Sequence, residues 1–223
     1  MKKNPFKRIL CIVIAAVMLC SVFASTAAAA TKCACGHSPV VMISGFGATI
    51  LSEKQEDGSL KRVFPPDTKE ILKLLGVNAP DLITGIIKLI AQKGTDGIEK
   101  PMREIITSIV EPLRMNDDGT SFYDIVPILS SAKDTNLEAF TKNGQLDLVP
   151  YTGSEFLDME VIGDEIGDDH VFNFLYDWRL SHADVAAQLH DYLAEVCALT
   201  GHDKVSVYSI SQGCLLLGVY MYE

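Results

Sequence analysis

Ser211 stands in Ser209-Ile210-Ser211-Gln212-Gly213, one substitution away from Gly-x-Ser-x-Gly, the pattern whose small flanking residues let a chain turn sharply and present a serine hydroxyl. The chemistry such a residue supports is acyl transfer. A hydroxyl is a weak nucleophile unless a base takes its proton and donors hold the oxyanion that forms. The amide of Gln212, directly after the serine, is one expected donor. A second is expected from Ser44-Gly45-Phe46-Gly47-Ala48 through the main-chain amide of Phe46. There Gly45 and Gly47 let the backbone approach a substrate with no side chain in the way. No metal or organic cofactor is required for this chemistry.

The base is the missing part. In this architecture the acid and the histidine follow the nucleophile, yet none of the residues from Gln212 to Glu223 is His or Asp. Upstream, His170 precedes a strand in an acidic turn, His182 and His190 belong to a helix, and His202 lies at the amino end of the strand that leads to Ser211. Other serine hydrolases place His and Asp before Ser, but these positions do not suit that role. The acidic group Asp164, Glu165, Asp168 and Asp169 lacks the ligand spacing of a calcium loop and reads as a solvated turn.

The elements that must position these residues are legible in the apolar pattern. Val205 to Ser209 alternates as a strand, and Cys214 to Leu217 opens a helix beneath a sheet. Pro39 to Ser44 is a short apolar run bounded by a proline and the Gly45-Phe46-Gly47 turn, a buried strand; Val171 to Tyr176 is another. Between Val171–Tyr176 and the last strand, Ser181 to Leu199 predicts a helix. Ser181 and Asp184 cap it, Val185, Leu189, Leu193 and Val196 form its apolar stripe, and Gly201 ends it. Strand, helix, strand, tight turn and helix in that order is the grammar of a parallel α/β sheet with its active groups at the carboxyl ends of the strands.

Residues 52–163 lose this alternation and read as an insertion. Asp67 to Leu75, stopped by Gly76, and Asp81 to Lys93, stopped by Gly94, predict two helices; Glu99 to Leu113, with Pro101 in its first turn, predicts another. The remainder of the insertion reads as mixed loops and short elements.

Met1 to Ala30 has Lys2, Lys3, Lys7 and Arg8, an apolar run from Ile9 to Phe23 and an alanine-rich end, the pattern of a secretory signal peptide. The apolar run is shorter than the roughly 18 to 20 residues of a membrane span. Secretion is the expectation, with residues 31–223 as the mature chain. That chain keeps 15 Lys and Arg against 29 Asp and Glu, a net charge of −14. Nucleic acid is therefore excluded as a partner, and contact with an anionic membrane must be local and apolar. Four cysteines remain. Cys197 and Cys214 read as small hydrophobes on helix faces. Cys33-Ala34-Cys35-Gly36-His37 crowds potential ligands at a frayed terminus and reads as unliganded, so no metal is expected.

Three blocks together, Val40 to Leu51, Tyr176-Asp177-Trp178-Arg179-Leu180-Ser181 and Val205 to Gly213, resemble the lecithin:cholesterol acyltransferase family of α/β-hydrolases, which includes phospholipases and lipid acyltransferases. The Tyr-Asp-Trp-Arg element is the most specific of them. The resemblance implies an α/β-hydrolase sheet, incomplete at its C-terminal side, with residues 52–163 as a helical cap. By the same resemblance Ser211 is the nucleophile and Phe46 and Gln212 the oxyanion donors. Gly45, Gly47, Asp177, Trp178 and Arg179 line the substrate pocket. Trp178, an amphipathic ring, also suits plain packing at a sheet edge. Ile210 stands where the family often has His and Ser209 where it has Gly, and the family's catalytic Asp and His have no counterparts here.

The implied function is a secreted serine hydrolase or acyltransferase on lipid esters, whose cap offers a surface for peripheral membrane contact. Two alternatives stand beside it: an inactive hydrolase-fold binding module, and an esterase or thioesterase on small soluble acyl substrates.

Overall fold

Val40 to Ile43 form β1, a strand apolar at every position, and that composition is what a strand covered on both faces requires. A computed structural model of the chain describes residues 33–90, 96–145 and 154–222. The chain divides into two compact units, Met1–Gly36 and His37–Glu223. The expected signal peptide lies outside the described residues. The second unit is a mixed α/β fold with one parallel and one antiparallel sheet.

The parallel sheet has β1 at its centre, between β5 (Val171–Phe174) and β6 (Ser206–Ser209). The register pairs Val40 with Val171 and Ser206 at the start, and Ile43 with Phe174 and Ser209 at the end. Because side chains alternate across a strand, Val41, Ile43, Phe172 and Phe174 enter one core cluster while Met42 and Val171 enter another, one on each face of the sheet.

Helix α5 (His182–Thr200) joins β5 to β6 and fills the first of these faces. Ser181 Oγ accepts from the Asp184 amide at 3.2 Å and donates to Asp184 Oδ2 at 2.7 Å, so the expected cap is present. Gly201, at φ 68°, ends the helix. Its buried stripe runs Val185, Ala186, Leu189, Tyr192, Leu193 and Val196. At about 1.5–3 kcal/mol per large apolar side chain, this face is a main source of cohesion for the sheet. The second face is covered by α3 (Leu137–Lys142) and α4 (Ser154–Ile166), through Leu137, Phe140 and Met159. The last helix, α6 (Gln212–Tyr222), follows β6 after two residues.

The segment expected as a helical cap departs from that expectation at its beginning. Its first elements are strands: β2 (Leu51–Lys54) and β3 (Leu60–Phe64) form a hairpin, and β4 (Ile125–Pro127) pairs with the other edge of β2. The hairpin turns at Asp57-Gly58, where Gly58 has φ 82° and Asp57 Oδ1 accepts from the Ser59 amide at 2.9 Å.

The helices then follow as α1 (Thr68–Ile90) and α2 (Asp96–Val110), with a short 3-10 turn at Glu111–Leu113. The two helices expected at 67–75 and 81–93 are one as far as Ile90; residues 91–93 and the expected stop at Gly94 lie outside the described residues. Gly76 does not stop it, and Pro80 lies inside it. One turn ahead of Pro80, the buried Asn78 carboxamide donates to the Leu74 carbonyl at 2.8 Å. Pro101 likewise sits in the interior of α2 rather than in its first turn.

Candidate active site

Ser211 is the one non-glycine residue with positive φ, 52°, among the described residues. With Ile210 it forms the two-residue link between β6 and α6, and it is exposed. A left-handed serine costs conformational energy and persists only where its surroundings hold it. The holding contacts are visible. The Ile210 amide donates to the Ile43 carbonyl at 3.0 Å, extending the β1–β6 ladder to the edge of the turn. The Gly213 and Cys214 amides donate to the carbonyls of Ile210 and Ser211, at 2.8 and 3.0 Å.

Two glycines make the turn possible by letting backbones meet. A Cβ on Gly213 would lie 2.3 Å from the Ile43 carbonyl oxygen, so any side chain there would push α6 off the end of β1. A Cβ on Gly45 would lie 2.9 Å from Ser211 Cβ and 3.4 Å from its Oγ. The loop after β1 is therefore packed directly against the serine, and the Phe46 amide is one residue on from that contact. Gln212 is the first residue of α6, whose leading amides have no partner within the helix and carry the positive end of its dipole. The arrangement sets an exposed hydroxyl immediately before the first turn of α6, with the loop after β1 packed against it.

Beneath this surface lies the Tyr-Asp-Trp-Arg segment, and it braces both halves. Tyr176 Oη donates to the Ser44 carbonyl at 2.9 Å, and the Tyr176 amide donates to Thr49 Oγ1 at 3.2 Å. Burial pushes the Tyr176 hydroxyl from its ordinary 10.0 up to about 12, so it stays a donor at any physiological pH. Trp178 donates from Nε1 to the Thr49 carbonyl at 3.4 Å and receives the exposed Phe46 ring edge-on, with centroids 4.4 Å apart. Asp177 and Arg179 form a buried pair, Arg179 Nη2 to Asp177 Oδ2 at 2.6 Å and Nε to Oδ1 at 2.9 Å. Arg179 reaches on to Ser121 Oγ at 2.9 Å. Finally, Gln212 Nε2 donates to the Trp178 carbonyl at 2.9 Å and ties the elbow to this segment.

Asp177, Trp178 and Arg179, expected to line a pocket, are thus nearly inaccessible side chains under the site. They shape it from below rather than facing a ligand.

No family model, curated protein or solved structure matches the chain.

The structure brings Gly45 against Ser211, with Gln212 next in the chain; Phe46 and Gly47 continue the Gly45 turn, Gly47 at φ 74°. It does not bring a base to them: among the described residues no histidine or carboxylate is hydrogen-bonded to Ser211 Oγ. Cys214, expected to be buried, is exposed and donates to the Ser209 carbonyl at 3.2 Å. Sequence reasoning missed the Gln212 tie and the Tyr176 brace, since a side chain's distant carbonyl partner leaves no local periodicity. It also missed the β2–β3 hairpin, although Asp57-Gly58 between two short runs is a hairpin signal.

Away from the elbow, a 310 Å³ groove lies between β3, α1 and α2, lined in part by Arg62, Pro66, Leu74, Val77 and Ile109. No elbow residue lines it.

Proposed function

We propose that the protein is a serine hydrolase or acyltransferase of the α/β-hydrolase type that acts on lipid esters through an acyl-enzyme at Ser211. The observation that carries this reading is the left-handed Ser211 between β6 and α6 with Gly45 against it. In the reaction Ser211 Oγ attacks the ester carbonyl and gives its proton to a base. The carbonyl oxygen takes the negative charge and is held by the amides of Phe46 and Gln212. Collapse of that intermediate expels the alcohol with a proton and leaves the acyl group on Ser211; water or a second alcohol then repeats the sequence in reverse.

A lipid substrate is favoured by the helices of the insertion. Leu72, Val77, Ile83, Ile87, Met102 and Ile106 expose apolar surface on α1 and α2, more than a soluble small-molecule esterase needs, and fit peripheral contact with a lipid phase. No helix of the described residues is long and apolar enough to cross a membrane.

The test is a fluorophosphonate probe on the full-length gene product. The expected result is one labelled serine, with labelling lost in Ser211→Ala; labelling that survives the substitution ends the proposal. A second reading is a hydrolase scaffold that binds an acyl ester without turning it over. It predicts binding of a non-hydrolysable lipid analogue with neither labelling nor ester release.

A further inference from the structure

The parallel sheet has two ends, and the chemistry above uses only the carboxyl one. At the amino end stand two histidines. His170 directly precedes Val171, the first residue of β5, and His202 lies four residues before Ser206, the first of β6; both strands pair with Val40 at that level. Their rings meet nearly perpendicular, at 82°, with centroids 5.4 Å apart, and one nitrogen of each lies within 4.8 Å of a nitrogen of the other. His170 is largely buried, and its Nδ1 is engaged by Asp169 Oδ1 at 2.8 Å.

We infer that His170 and His202 bind a zinc-class divalent ion. Zinc sits about 2.0–2.1 Å from an imidazole nitrogen, hence about 3.2 Å from the ring centre, and a tetrahedral angle separates two such centres by about 5.2 Å. The observed 5.4 Å is that spacing. The Asp169 carboxylate on His170 Nδ1 is the carboxylate–histidine pairing that orients a metal-ligand ring. Imidazole nitrogens select zinc, copper or nickel over magnesium and calcium.

Both rings are set by backbone turns rather than by long loops. His170 closes a 3-10 turn in which its amide donates to the Gly167 carbonyl at 3.0 Å. The His202 amide donates to the Cys197 carbonyl at 3.2 Å, just past the helix-ending Gly201. Four-residue strands separate this site from the elbow, a distance of about 13 Å, so the ion staples the segments entering β5 and β6 and takes no part at Ser211.

The experiment strips the full chain with a chelator and titrates it with zinc alone. One equivalent is expected, with a melting temperature raised by about 5 °C when zinc is in hundredfold excess over its dissociation constant. His170→Ala and His202→Ala are each expected to weaken binding at least about 100-fold. Asp169→Asn, which keeps both rings, is expected to weaken it about 10-fold and serves as the readout if the alanine variants do not fold. Cobalt in place of zinc reports nitrogen ligation by its absorption. Two results overturn the inference: less than a fifth of an equivalent bound by the wild type, or histidine variants that bind as the wild type does. The second includes simple thiol capture, in which Cys33→Ser with Cys35→Ser abolishes binding that both histidine variants retain.

Discussion

Helices α5 and α1 are of similar length and put their apolar residues to opposite use. In α5 the stripe Val185, Leu189, Leu193 and Val196 is buried against the parallel sheet, while the exposed side carries mostly alanine and polar residues. In α1, Leu72, Val77, Ile83 and Ile87 are each more than half exposed, and the helix runs through both a glycine and a proline without ending. The difference separates a helix that holds the fold from one that is free to meet something else. Apolar periodicity predicts a helix in both cases, but what the apolar face touches depends on the sheet beside it.

Three variants sharpen or break that contrast. The largest effect belongs to α5. Leu189→Ala empties a fully buried position and is expected to cost about 3 kcal/mol, read as a lower denaturation midpoint with unchanged slope. A cost below about 1 kcal/mol would mean that α5 is not the keystone described here.

Tyr176→Phe comes next, at about 1 kcal/mol near neutral pH, for the lost bond to the Ser44 carbonyl. It also changes the alkaline limb. The folded chain keeps the Tyr176 proton up to about 12 while the unfolded chain releases it near 10.0. The folded state binds more protons over that interval, so stability is intact below pH 10, falls as the pH rises from there, and is lost through 12. Burial raises Tyr192 in the same direction, and the phenylalanine variant is expected to make the alkaline fall shallower without removing it.

The smallest effect on stability is expected in α1. Ile83→Ser with Ile87→Ser should move the midpoint by less than about 0.5 kcal/mol while reducing partition onto phosphatidylcholine vesicles about tenfold. A large loss of stability would place that face inside the fold and erase the comparison.

The elbow was legible in the sequence because its signals are local. Small residues flank Ser211, a strand precedes it and a helix follows, and Gly45 and Gly47 mark the facing loop; all of these survive in the folded chain. Ser181 and Gly201 set the ends of α5 by nearest-neighbour capping, and both were readable for the same reason. What was not readable is long-range. Leu51 to Phe64 pairs with itself and with Ile125 to Pro127, more than sixty residues away, and no local period encodes that partner. The Gln212 carboxamide finds the Trp178 carbonyl across 34 positions of sequence. Asp177, Trp178 and Arg179 are expected from the sequence to line a pocket; their burial follows from packing that composition does not reveal.

The chain has a single tryptophan, and the Phe46 ring rests against it. Its fluorescence is consequently a native optical gauge of the loop after β1, responsive to any tilt of residue 46 and undiluted by emission from other indoles. A stopped-flow trace in the unlabelled wild-type protein would time any displacement of that ring when a candidate ester is mixed in.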